Sequence, residues 1–490
     1  MRLFQLLSEI PVSSAYGFDG YDRDIPGVCN DTRKLKKGDA FFALPGSKTD
    51  GANMIPDAVK KGASVIFAQH TGPSFIQEGV PVFITEDPRA AAAAAWQIYY
   101  HHPERRLLMN GVTGTNGKST VTHMIYRILR DHGINAGLIG TLGYFFGDVS
   151  GRTDNTTPVP EELYRILHDF EKGGAVAAVT EVSSHALAQE RLYGVGFRTA
   201  VFTNLTPEHL DYHGTMEEYF NAKAKLFPAA EVSVINRDDE YSRRIAWKAK
   251  DDVIFYGLSP DCDIKAKQIT LSSDSVSFTL EPSGTRFHIP VVGEYNVKNA
   301  LAATAAASVY GISADEAAES LSRFHSVAGR LEKLDTGTDF SVYIDYAHTP
   351  DALLQSLLTL RRSVITDDGG QSPRLIAVFG CGGDRDRTKR PVMGRIAVEN
   401  ADTVILTSDN SRSEDPEDII DEIDSGIADK SRRIRITDRR SAIAYAVETA
   451  KAGDVVLLAG KGHEDYETDR SGTHRFSERE AVFDSIKKKG

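Results

Sequence analysis

Apolar runs that end in glycine or polar motifs recur along the last third of this chain. Four such runs stop at Asp345, Gly380, Thr407 and Gly460, and helical segments separate them. Short apolar runs that alternate with helices are typical of buried parallel strands. The carboxyl ends of parallel strands meet at one edge of a sheet, where open α/β sheets bind their ligands. The pattern therefore predicts a parallel sheet over residues 336–490 with a site at that edge.

The middle of the chain also alternates strands with helices, but its character changes near the end. The predicted strands and a later alanine-rich helix are Ala175–Val182, Thr199–Thr203, Val232–Asn236 and Asn299–Tyr310. Between residues 263 and 292, apolar and polar positions alternate strictly in places, which is typical of antiparallel strands. We therefore expect a mostly parallel central sheet with an antiparallel extension.

The first hundred residues alternate short apolar runs with turns that contain glycine and proline, which indicates a small α/β domain. A helical segment over Arg89–Tyr100 stops at His101-His102-Pro103 and suggests a boundary. A chain of 490 residues is too long for one core. The predicted fold is α/β with three domains: a small N-terminal domain (1–105), a central P-loop-type domain (106–335) and a C-terminal Rossmann-like domain (336–490).

The strongest local motif is the segment Gly111–Thr120, which follows an apolar run and precedes a helical pattern. Glycines allow backbone N–H groups to turn towards phosphate oxygens, while Lys118 reaches the phosphates and Ser119 ligates Mg²⁺. The helix pattern rests on Val121, Met124, Ile125, Ile128 and Leu129. The usual first glycine is replaced by Val112, and we expect Gly114 to supply the missing freedom. The alternative is an ordinary glycine-rich turn between a strand and a helix.

Charge and cysteine content narrow the function classes. The net charge of −12 at pH 7 gives no overall attraction to nucleic acid or to an anionic membrane. Three widely separated cysteines (Cys29, Cys262 and Cys381) indicate reduced thiols rather than a disulfide framework. The chain has neither a basic-then-apolar leader nor an apolar run of membrane-spanning length. We expect a cytoplasmic protein that works as a monomer, without nucleic acid and without membrane insertion.

Three residues of the central region are candidates for metal binding or catalysis. Glu181 ends a predicted strand near the phosphate loop, where its carboxylate would hold Mg²⁺ or, alternatively, cap the next helix. His209 lies in a His-x-x-x-His motif that suits a metal site or a solvated helix turn equally well. Lys223 shares a helix face with Phe220 and Phe227, so from spacing alone it is a surface lysine with a buried stem.

The C-terminal region offers candidates for binding a carboxylate and an amine. The charged run Asp384–Arg390 follows a glycine-rich turn, where arginines would clamp carboxylates through paired hydrogen bonds or lie in a solvated loop. Arg412 and Glu464 close two further strand-end loops. An arginine and a glutamate in one cleft suit a zwitterionic substrate.

Taken together in order and spacing, these motifs resemble the ATP-dependent Mur ligases of peptidoglycan synthesis over nearly the whole chain. The similar segments are Gly111–Thr120, Asn155–Pro158, Glu181–Leu187, Asn204–Gly214, Ala222–Phe227, Gly293–Asn299, Gly329–Glu332 and Asp345–Leu353. Within that family the chain is most similar to the branch that joins a diamino acid to UDP-N-acetylmuramoyl-L-alanyl-D-glutamate. The resemblance implies an amide ligase that uses ATP and Mg²⁺ and acts on small molecules.

The resemblance also implies roles for individual residues. The implied ATP site comprises Gly114, Thr115, Asn116, Gly117, Lys118, Ser119, Thr120, Asn296, Arg330, Asp345 and His348. The implied catalytic residues are Lys118, His209 and Lys223, the last as a carbamate. The implied magnesium ligands are Ser119, Glu181, His209 and carbamylated Lys223. For Lys223 this implication conflicts with the surface position that its spacing favours.

Two further sets of residues are implied for the remaining substrates. The implied contacts to the UDP-muramoyl dipeptide are Thr32, Ser47, Lys48, Thr49, Asn155, Thr156, Thr157, Ser183, Gln189 and Arg191. The implied contacts to the incoming amino acid are Arg385, Asp409, Asn410, Ser411, Arg412, Gly460 and Glu464.

The identity of the amino acid depends on one loop. Ligases of this branch that use meso-2,6-diaminopimelate carry an Asp-Asn-Pro-Arg motif at this loop. In this chain, Ser411 stands in the place of the proline. Because Arg412 is present to meet a distal carboxylate, which lysine lacks, we favour meso-2,6-diaminopimelate over L-lysine.

Two competing functions stay open at the level of sequence. A folylpolyglutamate synthase would share the ATP machinery, but the full N-terminal domain disfavours it. A non-catalytic nucleotide-dependent binding module would need no ligase chemistry, and the set of Lys118, Glu181, His209 and Lys223 disfavours it.

Overall fold

The computed structural model describes residues 1–46, 50–70, 79–250, 252–272, 274–363 and 373–489. Each of the three domains has its own α/β sheet. The N-terminal sheet has the strand order β1-β5-β4-β3-β2, and only β1 is antiparallel to its neighbour. Its elements are α1 (Leu3–Glu9), β1 (Ser14–Tyr16), β2 (Val28–Cys29), β3 (Ala40–Ala43), α2 (Ile55–Lys60), β4 (Val65–Ala68), β5 (Val82–Ile84) and α3 (Pro88–Tyr99).

The central domain contains a sheet of eleven strands within the described residues. Its strands are β6 (Leu108–Thr113), β7 (Ala136–Gly140), β8 (Gly143–Phe146), β9 (Val149–Gly151), β10 (Ala177–Glu181), β11 (Phe197–Phe202), β12 (Ala230–Asn236), β13 (Val253–Gly257), β14 (Ile264–Leu271), β15 (Val276–Glu281) and β16 (Arg286–Ile289). Its helices are α4 (Lys118–Asp131), α5 (Pro160–Lys172), α6 (Ser184–Ala188), α7 (Leu210–His213), α8 (Met216–Ala224), α9 (Ser242–Ala246), α10 (Tyr295–Ser308) and α11 (Ala314–Ser322).

The central sheet has the order β16-β15-β14-β13-β12-β11-β6-β10-β7-β8-β9. Strands from β14 to β7 along this order run parallel, and β15 and β16 add the antiparallel extension that the alternating pattern predicts. A second antiparallel pair, β8 and β9, at the opposite edge was not predicted. The phosphate-loop strand β6 therefore lies in the middle of the parallel part.

The C-terminal sheet has the order β17-β18-β22-β19-β20-β21, with only β17 antiparallel. The elements of the C-terminal domain are β17 (Glu332–Leu334), β18 (Ser341–Asp345), α12 (Pro350–Ser363), β19 (Leu375–Phe379), α13 (Lys389–Asn400), β20 (Thr403–Leu406), α14 (Pro416–Asp424), β21 (Arg433–Arg435), α15 (Arg439–Thr449), β22 (Val455–Ala459), β23 (Tyr466–Asp469), β24 (Gly472–Arg475) and α16 (Glu478–Lys489). Strands β23 and β24 form a separate two-stranded sheet. The four strands predicted from apolar runs are present, and their carboxyl ends lie at one edge. Residues 332–334, which the sequence grouped with the central region, pair with this sheet.

Helix packing brings the phosphate loop against the central sheet. The five apolar positions that predicted α4 are fully buried, as the helical period requires. The alanine-rich helix α10 packs against α4, because small side chains allow close approach of two helices. Among the described residues, no helix is long and apolar enough to cross a membrane.

Candidate active site between the central and C-terminal domains

Two glycines of the phosphate loop are required by their backbone conformation, and a third glycine, in the preceding strand, is required by packing. Gly114 has φ +147° and Gly117 has φ +88°, conformations that L side chains rarely adopt. A Cβ on Gly114 would lie 1.8 Å from Thr203 Oγ1, so the loop also needs the missing side chain. Gly111 lies within β6, where a Cβ would lie 2.9 Å from the ring of Phe197. Gly114 therefore supplies the conformational freedom that the loop needs. Gly111, which stands one place before the usual first glycine, serves packing instead.

Two lysine side chains meet at the same carbonyl of the loop. Lys118 Nζ donates to the carbonyl oxygens of Gly114 (3.0 Å) and Thr115 (2.8 Å). Lys223 Nζ also donates to Gly114 O (2.8 Å) and lies 4.7 Å from the ring centre of Tyr219. Lys223 is only 2% exposed, and burial together with the charge of Lys118 lowers its pKa well below the ordinary value.

The surface position that helical spacing favours for Lys223 is therefore wrong. The periodicity of α8 indicates which residues share a face, but it does not show that the phosphate loop covers that face. The role that the family resemblance implies for Lys223 agrees with its position beside Lys118.

A loop after β11 carries a residue that sequence reasoning missed. Glu208 lies 3.6 Å from His209 Nε2 and 3.5 Å from His348 Nε2, so it bridges the two domains. Burial alone would raise the pKa of the Glu208 carboxyl, but the His348 contact and nearby positive charges hold it below its ordinary value. Its position directly before His209 in the sequence motif was the available signal.

The histidines near α7 form an aromatic cluster rather than a ready metal site. The His209 ring lies edge-on to His185 at 4.7 Å between centroids, while His213 Nε2 lies 2.9 Å from Ser184 Oγ. Burial lowers the pKa of His209, and it lowers that of His185 to about 4. In the part of the chain that the structure describes, no three acidic, histidine or cysteine side chains form a group placed for a metal ion.

Glu181 ends β10 and is fully buried. Its carboxylate accepts hydrogen bonds from the backbone N–H of Thr141 (2.9 Å) and from the Thr141 hydroxyl (3.1 Å). A Cβ on Gly140 would lie 2.3 Å from this carboxylate, so the glycine permits the close approach. The following helix is capped by the Ser183 side chain, which accepts from the backbone N–H of Ala186. The helix-capping alternative for Glu181 is therefore wrong.

Side chains beyond the central domain reach the phosphate loop. Arg330 donates to Ser119 Oγ (3.0 Å), and its guanidinium lies 4.7 Å from the ring centre of Tyr346. Asn116 Nδ2 donates to Asp351 at the start of α12 (2.9 Å). Asp351 was not among the predicted site residues, because only the folded chain places α12 beside the loop.

The remaining predicted nucleotide residues are held by backbone contacts. Buried Asp345 accepts from the backbone N–H groups of Leu331 (3.0 Å) and Tyr346 (2.9 Å), and burial raises its pKa. Asn296 donates to the carbonyl of Val292 (2.8 Å). A cleft of about 560 Å³ joins the predicted ATP and metal residues that line it, namely Thr115 to Thr120, His209, Lys223, Asn296, Arg330, Asp345 and His348.

Five of the residues implied for the muramoyl dipeptide lie in or next to this cleft. Thr156 and Ser183 line it, and the Thr157 hydroxyl accepts from the backbone N–H of Ser183 (3.0 Å). Arg191 donates to the carbonyl of Thr157 (2.6 Å) and to Gln189 Oε1 (2.8 Å). These contacts connect Thr157, Ser183, Gln189 and Arg191 into one polar group.

Two of the other implied dipeptide contacts do not line the cleft, and three lie outside the described residues. The Thr32 carbonyl accepts from Lys61 in the N-terminal domain, and the Asn155 carbonyl accepts from Thr153; neither Thr32 nor Asn155 lines the cleft. Ser47, Lys48 and Thr49 lie outside the described residues.

A second polar centre lies at the carboxyl edge of the C-terminal sheet. Asn410 Nδ2 donates to Glu464 (2.8 Å), and Asn410 Oδ1 accepts from Lys461 (3.2 Å). Lys461 is fully buried and lies 3.9 Å from Asp409 and 3.8 Å from Glu464. Burial raises the pKa of the Glu464 carboxyl. Sequence reasoning missed Lys461, although it stands inside the motif that follows β22.

Arg412 lies in the same loop as Asp409 and Asn410, between β20 and α14. Its backbone has φ +52°, and its guanidinium donates to the carbonyls of Gly383 (2.7 Å) and Asn410 (3.4 Å). Gly460 has φ +117°, and a Cβ there would lie 2.6 Å from Asp409 Oδ2. Arg412 and Glu464, predicted to converge on one cleft, thus both contact Asn410. The side chain of Ser411 is buried beside them.

The charged run that follows β19 is only partly available to a ligand. Arg390 is fully buried and pairs with Glu414 and Glu422, both at 2.9 Å. Arg387 pairs with Glu422 as well. Arg385 is exposed and donates to the carbonyl of Asp384 (3.2 Å). Two arginines of the run, Arg387 and Arg390, are therefore engaged in ion pairs with glutamates, whereas Arg385 contacts a backbone carbonyl and is exposed to solvent.

Three family models match successive parts of the chain. Residues 24–107 match the Mur ligase family catalytic domain, residues 112–307 the Mur ligase middle domain, and residues 329–462 the Mur ligase glutamate ligase domain. A Solibacter usitatus UDP-N-acetylmuramoyl-L-alanyl-D-glutamate–2,6-diaminopimelate ligase is 39% identical over 500 residues, covering 99% of this chain and 98% of the relative. The chain belongs to the Mur ligase family.

Solved structures show the same fold. A UDP-N-acetylmuramoyl-L-alanyl-D-glutamate–2,6-diaminopimelate ligase superimposes with a TM-score of 0.68 at 34% identity, covering 95% of each chain. The Mycobacterium tuberculosis folylpolyglutamate synthase solved with ADP and AMPPCP gives a TM-score of 0.61 at 17% identity, covering 75% of this chain and 91% of that one. The latter likeness concerns the fold alone. This Mur ligase is accordingly an ATP-dependent enzyme that forms amide bonds, with the three-domain α/β architecture predicted from sequence.

Proposed function

We propose that this Mur ligase joins meso-2,6-diaminopimelate to the D-glutamyl γ-carboxylate of UDP-N-acetylmuramoyl-L-alanyl-D-glutamate. The observation that carries the proposal is the contact of Arg412 and Glu464 with one residue, Asn410, at the sheet edge. An arginine suits a carboxylate and a glutamate suits an ammonium group, and diaminopimelate presents both at its distal end. The full-length relatives named for this substrate add support.

The reaction needs the acid to be activated before the amine attacks. In our proposal, a γ-carboxylate oxygen attacks the γ-phosphorus of ATP, and ADP leaves with the electron pair of the broken bond. The unprotonated amine then attacks the carbonyl carbon of the acyl phosphate, the C–O bond to phosphate breaks, and phosphate leaves with the electron pair and the proton that the amine gives up as the amide forms. In this proposal, Lys118 would offset the charge on the transferred phosphoryl group, and closure of the cleft would exclude water from the acyl phosphate.

Magnesium belongs to the proposal as well. The set of Ser119, Glu181 and His209 supplies the oxygen and nitrogen donors that a divalent cation takes, and Ser119 and His209 line one cleft. A carbamate on Lys223 would add a carboxylate beside the phosphate loop, where the structure shows its amine. Bound Mg²⁺ would neutralise phosphate charge. Intact mass measured with and without bicarbonate tests the carbamate through a gain of about 44 Da.

The decisive experiment offers the purified enzyme meso-2,6-diaminopimelate and L-lysine side by side, with ATP and the UDP-muramoyl dipeptide. We expect amide formation with diaminopimelate to exceed that with lysine by at least about a hundredfold. Each tenfold step in this preference corresponds to a difference of only about 1.4 kcal/mol in free energy between the two amino acids. Arg412→Met should remove most of this preference, and Arg395→Met on the exposed side of α13 is the control. Preference of the wild type for lysine would refute the assignment.

The same assay separates the two competing functions. A folate substrate in place of the UDP-muramoyl dipeptide tests a folylpolyglutamate synthase, and amino-acid-stimulated phosphate release tests whether the chain is catalytic rather than a binding module. The implied dipeptide contacts at Thr32 and Arg191 are part of the proposal, and their alanine variants should raise KM for the UDP substrate alone. We also propose a cytoplasmic monomer, which sedimentation and cell fractionation test.

A further inference from the structure

The β23–β24 hairpin is a separate two-stranded sheet that the sequence pattern did not predict. Its register pairs Tyr466 with Arg475 and Thr468 with Thr473. All four residues of β24 are exposed, so burial of apolar surface does not explain why the hairpin is ordered against the domain. Its polar contacts lead instead to the loop between β20 and α14.

One residue of the hairpin holds two residues of the candidate amino-acid site. The backbone N–H of Thr468 donates to Asn410 Oδ1 (2.9 Å), and the carbonyl of Thr468 accepts from the backbone N–H of Arg412 (3.0 Å). Two further bonds flank this pair: Ser408 Oγ donates to Glu467 (2.9 Å), and Arg470 Nε donates to the carbonyl of Ser413 (2.9 Å). The hairpin thus contacts the loop on both sides of its functional residues.

Arg412 needs such support because of its backbone conformation. A non-glycine residue at φ +52° is disfavoured by about 1–2 kcal/mol and persists only where neighbouring groups fix it. The residue before it, Ser411, lacks the ring by which a proline would fix its own φ. The guanidinium contacts the carbonyl of Gly383 in a neighbouring loop and that of Asn410 two residues earlier, which orient the side chain but do not fix the Arg412 backbone.

We infer that the β23–β24 hairpin is the positioning element of the amino-acid site, and that Thr468 holds Arg412 and Asn410 in the arrangement that recognises the distal end of the diamino acid. Thr468 acts through Arg412 and Asn410 and does not itself touch the substrate. The inference rests on the proposed function and adds a determinant of its specificity.

The position of the hairpin relative to Glu464 strengthens the inference. Glu464 lies two residues before β23, and the carbonyl of the intervening Asp465 accepts from the backbone N–H of Phe476 just after β24 (2.9 Å). This bond closes the base of the hairpin beside Glu464. One hairpin therefore lies next to both residues proposed for the distal end of the diamino acid, Arg412 for the carboxylate and Glu464 for the ammonium group.

Thr468→Pro tests the inference with little disturbance of the hairpin itself. The N–H of Thr468 faces Asn410, so proline removes that bond while leaving the opposite strand in place. We expect KM for diaminopimelate to rise about fivefold to tenfold, the equivalent of one lost hydrogen bond. KM for ATP should stay within about twofold, and the preference for diaminopimelate over lysine should fall by a similar factor. Ser471→Ala, at the hairpin turn, is the matched control.

Amide hydrogen exchange supplies a readout that does not depend on the substrate. In Thr468→Pro, exchange at residues 408–413 should accelerate, while exchange at the phosphate loop should not change. Unchanged exchange at Arg412, or equal rises in all KM values, would overturn the positioning role while leaving the proposed reaction intact. A wild type that prefers lysine would instead refute the proposed substrate, and the exchange result would still decide the role of the hairpin.

Discussion

The phosphate loop and the edge of the C-terminal sheet are both polar sites, but they are assembled in opposite ways. The first consists of consecutive residues, Gly114 to Ser119, whose backbone and single lysine make the site. The second joins residues from separate strand-end loops, with Asn410 and Glu464 about fifty positions apart. A local site depends on backbone conformation, whereas an assembled site depends on the groups that hold its loops together.

The supporting groups differ accordingly. Around the phosphate loop, Asn204 Oδ1 accepts from the backbone N–H of Asn116 (2.9 Å), and the charged side chains of Lys223, Arg330 and Asp351 contact separate residues of the loop. At the sheet edge, buried Lys461 and the Arg439–Glu478 ion pair (2.7 Å, both side chains essentially inaccessible) support the loops. Damage to support should therefore affect folding more at the sheet edge than at the phosphate loop.

The largest effect is expected at the phosphate loop itself. Lys118→Ala removes the ammonium that offsets phosphoryl charge, so the ligation rate should fall by about a thousandfold. Because Lys118 donates to carbonyls of its own loop, the midpoint of thermal unfolding should stay close to that of the wild type. Amino-acid-dependent phosphate release and a thermal melt measure the two quantities. Lys172→Ala, exposed on α5, is the control, and near-normal ligation by Lys118→Ala would contradict the assignment.

The opposite outcome is expected for a lysine at the sheet edge. Lys461→Met leaves Asp409 and Glu464 without their buried cation, which should cost about 3–5 kcal/mol in the free energy of unfolding of the C-terminal domain. Urea unfolding followed by circular dichroism measures the loss. Lys451→Met, exposed on the same domain, is the control. A stable variant with lost activity would show that the comparison between local and assembled support is wrong.

A pair of glycine substitutions should separate the two sites kinetically. Gly114→Ala places a Cβ 1.8 Å from Thr203 Oγ1, and Gly460→Ala places one 2.6 Å from Asp409 Oδ2. We expect the first to raise KM for ATP by about tenfold and the second to raise KM for the amino acid by a similar factor, since strain of about 1–3 kcal/mol is involved. Gly133→Ala has a similarly positive φ but no neighbour within 4 Å and is the control. Equal changes in both KM values would mean that the sites are not independent.

The smallest effect concerns a link between the two domains. Arg152 after β9 makes a paired contact with Asp465 (3.0 and 2.6 Å), but both side chains are substantially exposed. Exposed pairs contribute less than about 1 kcal/mol, so Arg152→Ala should raise KM for the amino acid by about twofold to fivefold at low salt. The difference should vanish near 1 M salt, where screening extends over only about 3 Å. Restoration of KM by Arg152→Asp combined with Asp465→Arg would confirm the link.

Much of the fold was predictable because its signals are local. The apolar period that predicts α4 depends on one helix face, and the runs that predict β18, β19, β20 and β22 depend on single strands. The phosphate loop was predictable for the same reason. The β23–β24 hairpin was missed because its short, largely exposed strands carry little apolar pattern, and β8–β9 was missed because strands of four and three residues are too short to show a period.

The missed site residues share a different cause. Lys461 was missed, and spacing alone misplaced Lys223 at the surface although the family resemblance singled it out, because a lysine is expected at the surface unless partners from elsewhere in the chain surround it. Those partners are Gly114, more than a hundred residues before Lys223, and Asp409, about fifty residues before Lys461. Asp351 and Glu208 were missed because their importance lies in contacts across two domains. Such contacts are properties of the folded chain that spacing within one element does not report.

The hydrogen bond from Asn116 to Asp351 has a consequence for inhibition. It joins the phosphate loop to the first turn of α12, and Arg330 makes a second connection through Ser119. A small molecule that wedged between Asn116 and Asp351 and satisfied both side chains would hold the two domains apart without imitating a nucleotide. Such a compound would act as a spacer between the two domains.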